Sequence, residues 1–244
     1  MEKFQKVIHE RIIHHEHTGT KLESVLVLPQ GTGPFPTILL IHEYTGLNEP
    51  TLEHARRLSR AGYAVFAADF YGPDNRPQNV DEANKFHRVF RDDRLLMRER
   101  AKAFFEALIA QQEVDITRIA GLGFSFGGGA VLELARCVDQ GNINSESALI
   151  GAISVYGYLD TTHPAERGRI KAEVITIHVE NDPVVPEKHA EMFTNEMDEA
   201  EVEWSMIRFN NVQHGFANPD NPEFDSNRAE EAWDIILKAL KEWF

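Results

Sequence analysis

The chain has 244 residues, with 39 acidic against 25 basic side chains and a formal net charge of -14. That excess argues against nucleic acid or an anionic membrane surface as partner, since both would repel it. A single cysteine, Cys137, excludes an intramolecular disulfide, and no apolar run is long enough to span a bilayer.

The N-terminal Met1-Glu2-Lys3-Phe4-Gln5-Lys6 is interrupted by charges and followed by no small-residue cleavage site, so it reads as no signal peptide and a cytoplasmic location. Residues 7–13 and 21–28 are short, β-branched and partly alternating. His14-His15-Glu16-His17-Thr18-Gly19-Thr20 joins them as a hairpin-like turn. Three histidines and a glutamate there invite a metal reading, but their spacing matches no standard zinc signature, and a solvated turn with no metal is expected. Residues 37–42 form a continuous apolar run, as a strand covered on both faces should, and residues 43–48 make the loop at its carboxyl end. Residues 51–61 read as a helix with Leu52, Ala55 and Leu58 on one face, ended by Gly62.

The next buried strand is 63–70, followed by a long loop over 71–77. Residues 81–112 are largely helical, broken near Arg91-Asp92-Asp93. Their early part is densely charged, and Leu95, Ala101, Phe104, Phe105, Leu108 and Ile109 supply a core face. A strand approach over 114–120 leads to a glycine-rich turn and a helical run over 130–136, with Cys137 expected inside this helix as a packed thiol. Strands follow at 148–155, 172–179 and 202–209. Pro186 opens a helix running to about Glu199, and the last helix is 226–243. Strands alternating with helices predict one α/β domain over 1–244. Its mostly parallel sheet has about eight strands with helices on both faces, and the opening hairpin forms an antiparallel edge.

The turn after the 114–120 strand is Gly123-Phe124-Ser125-Phe126-Gly127, which fits G-x-S-x-G. Between a strand and a helix this pattern is a nucleophile elbow, as in the α/β-hydrolase fold. The tight turn thrusts the Ser125 side chain clear of the sheet, and glycines let strand and helix approach. Ser125 then stands at a helix N-terminus with the amide of Phe126 aimed at developing negative charge.

A serine hydroxyl is a weak nucleophile and needs a base, which in turn needs an orienting carboxylate. On this fold the order is serine, acid, histidine. Of eleven histidines only His163, His178, His189 and His214 follow the elbow. His178 falls inside a strand, His189 inside a helix, and His163 precedes the favoured acid. His214 lies on the loop after the last strand and is the expected base. Asp160 and Asp182 both follow strands; order and position favour Asp182, in Asn181-Asp182-Pro183. The second oxyanion donor belongs on the loop after the 37–42 strand, as the amide of Tyr44 or of Glu43. The Glu43 carboxylate would oppose an oxyanion unless directed elsewhere.

These motifs together resemble the dienelactone hydrolase family of α/β hydrolases. The resemblance rests on Ile41-His42-Glu43-Tyr44-Thr45-Gly46-Leu47, Ala68-Asp69-Phe70-Tyr71-Gly72, Gly121-Leu122-Gly123-Phe124-Ser125-Phe126-Gly127-Gly128, Asn181-Asp182-Pro183 and His214-Gly215-Phe216, spread over nearly the whole chain. It implies Ser125, Asp182 and His214 as triad, Glu43 as the carboxylate near the nucleophile, and the amides of Tyr44 and Phe126 as oxyanion hole. Two departures stand out. Serine replaces the family's usual cysteine, so either a natural serine enzyme or a changed cysteine enzyme is possible on sequence grounds. Asn218 stands where members acting on dienelactones carry an arginine for the substrate carboxylate; Arg76, Arg88, Arg91 and Arg94 are the alternative cations.

The reading is a cofactor-free hydrolase of small-molecule esters or lactones working through an acyl-enzyme. A peptidase or thioesterase on the same triad is the rival reading, and a non-catalytic binding protein of the same fold is the rival of another class. The sequence leaves the oligomeric state open.

Overall fold

A computed structural model describes residues 8–138 and 149–244. The N-terminal hexapeptide and the first residues of the strands expected at 7–13 and 148–155 lie outside the described residues. Strands β1 (His9–His17) and β2 (Thr20–Leu28) form an antiparallel hairpin in which His17 pairs with Thr20. Its turn is therefore only Thr18-Gly19, with φ of 50° and 75°, shorter than the turn expected over 14–20. Positive φ at both central residues matches the right-handed twist of the strands, so the ladder persists through the histidines. Strand alternation then splits them. His15 packs on Phe66 and Phe104 and bonds Ser24 Oγ, while His14 is on the surface beside Glu23.

Six further strands complete one sheet: β3 (Phe35–Ile41), β4 (Ala64–Ala68), β5 (Val114–Phe124), β6 (Leu149–Val155), β7 (Glu173–Val179) and β8 (Trp204–Phe209). The order is β1-β2-β4-β3-β5-β6-β7-β8, parallel from β4 onward, with β2 antiparallel to β4. This is the α/β-hydrolase fold. After β3 the chain moves outward to β4 and then returns to lay β5 on the other side of β3. The strand order thus reverses between β3 and β5, and their carboxyl ends open the crevice where open α/β sheets place their sites.

Helices α1 (Glu49–Ala61) and α6 (Ser226–Trp243) cover one face, with Ala55, Leu58, Trp233, Ile236 and Leu240 in its core. Helices α3 (Arg94–Ile109), α4 (Phe126–Ala135) and α5 (Glu187–Glu199) cover the other through Phe104, Phe105, Val131, Leu134, Phe193 and Met197. Truncating one of these buried phenylalanines to alanine should cost about 3–5 kcal/mol. Helix α2 (Val80–Arg91) precedes α3, and Asp92-Asp93 separates them, as Arg91-Asp92-Asp93 predicted.

The structure alters three local expectations. Leu95 is 50% exposed, while Arg94, Arg98 and Arg100 are buried. The helical phase is set by Met97, Ala101, Phe104, Phe105 and Leu108, which leaves Leu95 outside and turns the arginines inward. Helix α4 begins at Phe126, immediately after Ser125, and ends before the buried Cys137, whose thiol burial pushes up to about 12. Pro186 is the N-cap of α5 rather than its first residue.

Candidate active site

Ser125 sits between the end of β5 and the start of α4 with φ 50° and ψ -117°, a conformation an ordinary side chain adopts only under constraint. The constraint is visible in the neighbouring glycines. A Cβ on Gly123 would lie 2.2 Å from the Gly127 backbone, and one on Gly127 would lie 2.1 Å from the Ile41 carbonyl oxygen. Only glycine lets the first turn of α4 press against β3 and β5 so closely. The amide of Ser125 donates to Val155 O at 2.9 Å, fixing the turn to β6.

Ser125 Oγ lies 2.8 Å from His214 Nε2, and His214 Nδ1 lies 2.8 Å from Asp182 Oδ2. A carboxylate accepts, so Nδ1 carries the proton and Nε2 is left to accept from the serine hydroxyl. Asp182 Oδ1 accepts from the amides of Val184 and Val185 at 2.7 and 3.1 Å, which locks the carboxylate on its loop after β7. The His214 ring packs at a tilt on Tyr156, centroids 5.1 Å apart. Three residues far apart in sequence, on the loops after β5, β7 and β8, thus form one hydrogen-bonded line.

Asp160, the other acid considered, is engaged elsewhere. Arg91 Nη2 donates to both its oxygens at 2.8 and 2.9 Å, Arg94 Nη2 lies at 3.4 Å, and His189 Nδ1 at 3.4 Å. His163 Nδ1 lies 2.8 Å from its neighbour Thr162 Oγ1, and His178 is buried within β7. None of these histidines joins Ser125.

Glu43 and Tyr44 lie on the loop after β3. Tyr156 Oη donates to Glu43 Oε1 at 2.9 Å and Asn218 Nδ2 donates to Glu43 Oε2 at 2.9 Å. Burial pushes this carboxyl above the usual carboxylate value, and the hydrogen bonds from Asn218 and Tyr156 pull it back only in part. Asn218, at the position of the expected arginine, is therefore a ligand of Glu43. The amides of Tyr44 and Phe126 have no hydrogen-bond partner among the described residues.

The sequence reading missed His42. Its ring is fully buried, and Phe70 N donates to its Nε2 at 3.0 Å, so Nδ1 bears the proton and donates to Glu43 O at 2.6 Å. The Glu43 carbonyl also accepts from Gly46 N at 3.1 Å. That carbonyl shares a planar peptide with the Tyr44 amide, so pinning one fixes the direction of the other. The same ring stacks on Phe126 at 6.0 Å, and burial lowers it to about 4, keeping it neutral. No periodicity marks this role, since His42 merely ends an apolar run.

A cavity of about 570 Å³ opens over Ser125 and His214, bounded by Glu43, Tyr44, Arg88 and Tyr158. Arg76 pairs with Glu23 and Asp69, and Arg91 and Arg94 with Asp160; of the four arginines only Arg88 lines this cavity.

Comparison with known proteins agrees with this arrangement of strands and loops. A dienelactone hydrolase-like promiscuous phosphotriesterase from metagenomic libraries superposes with a TM-score of 0.86 at 27% identity, covering 97% of this chain and 99% of that one. The protein m3DLH superposes at 0.88 with 28% identity and the same coverage. By sequence, a protein of Saccharolobus solfataricus with the provisional name carboxymethylenebutenolidase is 22% identical over 266 residues, 95% of this chain and 98% of that protein. The family profile matches residues 22–244, a span that holds every strand from β3 to β8 and all the residues around Ser125, and the chain accordingly belongs to the dienelactone hydrolase family.

Proposed function

We propose that the protein is a serine hydrolase of carboxylic esters or lactones. The observation that carries this reading is the 2.8 Å approach of Ser125 Oγ to a histidine whose other nitrogen is held by Asp182. His214 Nε2 takes the hydroxyl proton as Oγ attacks the carbonyl carbon. Asp182 keeps the ring in the right tautomer and stabilises its cation. The carbonyl oxygen, now negative, faces the unpartnered amides of Phe126 and Tyr44. The alkoxide leaves with the proton from His214, giving an acyl-enzyme. Water, deprotonated by the same histidine, then releases the acid and restores the serine.

Glu43 has a different task in this scheme. Both its oxygens are occupied by Tyr156 and Asn218, so it braces the loop that carries the Tyr44 amide rather than taking the serine proton. This supports a site suited to an oxygen nucleophile, which depends on His214 as base, over one altered from cysteine. A cavity of about 570 Å³ suits a small-molecule substrate, and Arg88 is its cation.

The test is fluorophosphonate labelling together with turnover of a panel of short acyl esters and lactones. Ser125 should label stoichiometrically. Ser125→Ala should not label, and should lose roughly 10⁴-fold in turnover. Ser125→Cys should be slower than the serine form on the same ester. An unlabelled serine protein that is far slower than Ser125→Cys would mean the site is built for sulfur. A panel without turnover and a serine without label would remove the reading altogether.

A further inference from the structure

Among the described residues four arginines are almost completely buried: Arg94, Arg98, Arg100 and Arg136, at 3, 8, 4 and 2% exposure. A buried cation is costly unless a carboxylate stands beside it. Three follow that rule. Arg94 and Arg98 reach Glu133, Arg94 also reaches Asp160, and Arg136 pairs with Glu133 and Glu196. Arg100 does not. Its Nε donates to His17 Nδ1 at 2.9 Å, its Nη1 donates to Phe70 O at 2.7 Å, and its Cζ lies 5.2 Å from the Phe90 ring centre. All three partners are neutral. No carboxylate lies within ion-pair distance of Arg100 among the described residues, and its Nη2 has no acceptor there. Burial lowers the guanidinium to about 10, and the more distant Asp69 offsets this only in part.

The group is not sealed in. Arg100 forms part of the wall of a cavity of about 300 Å³, lined also by Tyr71, Phe86, Val89, Phe90 and Leu96 and by the polar Thr18, Thr20 and Asn75. This cavity shares no lining residue with the one over Ser125. Helix α2 stands between them: His87 and Arg88 face the Ser125 cavity, while Phe86, Val89 and Phe90 face this one. A cation with no carboxylate at ion-pair distance and Nη2 without an acceptor, beside the apolar side chains of Phe86, Val89, Phe90 and Leu96, defines a ligand by its chemistry. The head must be anionic and accept hydrogen bonds from a planar guanidinium, which a carboxylate does well. The body must be apolar. A phosphate dianion fits less well, because Arg100 is the single cation among the lining residues and the chain as a whole is strongly acidic.

We propose that this recess is a second ligand site, separate from the reaction at Ser125, which binds a monocarboxylate with an aliphatic or aromatic body, its head on Arg100 and its body between α2, α3 and Tyr71. The site stands on the missing counter-ion and the cavity, and is independent of what Ser125 does.

The probe is 4-phenylbutyrate, compared with the neutral 4-phenylbutanamide and with inorganic phosphate, by titration calorimetry and amide chemical-shift mapping on the full chain. The acid should bind with one-to-one stoichiometry at this recess, shift the amides around Thr20, Val89 and Leu96, and weaken with added salt. The amide and phosphate should bind at least about tenfold more weakly. Arg100→Gln should lose the acid by a similar factor. Because that change could disturb folding, Val89→Glu is the second variant; Val89 is 52% exposed, and a carboxylate at the cavity wall should repel the ligand without touching the core. Equal affinity for acid and amide would overturn the proposal. So would undiminished binding by folded Val89→Glu, shifts confined to the residues around Ser125, or no binding up to about 10 mM.

Discussion

Glu43 and Asp160 are carboxylates on the same rim of the sheet, beyond the ends of β3 and β6, and their surroundings differ in kind. Glu43 accepts from a phenol and an amide, and burial raises its pKa. Asp160 lies against Arg91, Arg94 and His189. Burial alone would raise it, but the two arginines outweigh that and hold it below the usual value. Behind Asp160 the charge pairing continues through Glu133 to Arg98 on α3 and to Arg136, the residue that caps α4. The region over Ser125 is thus built from neutral donors and one hydrogen-bonded acid–base line, and the region beside it from formal ion pairs. The lesson is that charge density does not locate this site. Ion pairs fasten α3 to α4, while the carboxylates gathered near Ser125 accept hydrogen bonds from neutral donors.

The largest effect is expected from neutralising Asp182 and Asp160 in turn. Asp182→Asn should lower kcat/KM by roughly 10⁴-fold, because His214 would take the wrong tautomer. Asp160→Asn should leave kcat/KM within about threefold and lower thermal stability instead. Steady-state kinetics and a melting curve on both variants decide it, and a larger kinetic loss in Asp160→Asn would reverse the assignment.

A smaller effect is expected when each kind of carboxylate is neutralised. Glu133→Gln leaves Arg98 and Arg136 buried against an amide and should cost about 3–5 kcal/mol in urea denaturation, with little change in turnover per folded molecule. Glu43→Gln keeps a neutral acceptor for one donor, and the Tyr156 hydroxyl can turn to meet the other. Its cost should stay within about 1 kcal/mol. Equal losses would mean that the two regions are held together in the same way.

The smallest of the three is a pH effect. Burial lowers His42 and His54 from 6.5 to about 4. Between those values the unfolded chain binds protons that the folded chain refuses, so stability rises with pH in this window and is lost as pH falls from 6.5 toward 4. Each histidine should contribute about 2 kcal/mol of loss between pH 7 and pH 5. Glu43 and Asp69, both raised by burial, act with the opposite sign, so the difference between proteins is the clean measurement. His54, stacked on Phe124, can be replaced by phenylalanine. His54→Phe should show a shallower dependence of urea stability on pH than the parent; an identical slope would mean that His54 is not held neutral.

Much of the fold is written in local residue patterns. The elbow was legible because its cause is local: without a Cβ at Gly123 and Gly127, α4 can begin against β3 and β5. The alternation of apolar runs with amphipathic stretches placed all eight strands and the main helices, since periodicity reflects which face is covered. The order of Ser125, Asp182 and His214 along the chain pointed to their meeting, because each falls on a loop at a strand's carboxyl end. Other features depended on tertiary structure. Tyr156 and Asn218 reach Glu43 from 113 and 175 residues away, and Phe70 reaches His42 from 28. Arg94, Arg98 and Arg100 stand in a stretch that reads only as densely charged, and the phase of α3 against α4 turned them inward. Local sequence fixes backbone geometry and burial pattern; a hydrogen bond or ion pair between distant residues exists only once the sheet order and helix phase have brought its two ends together.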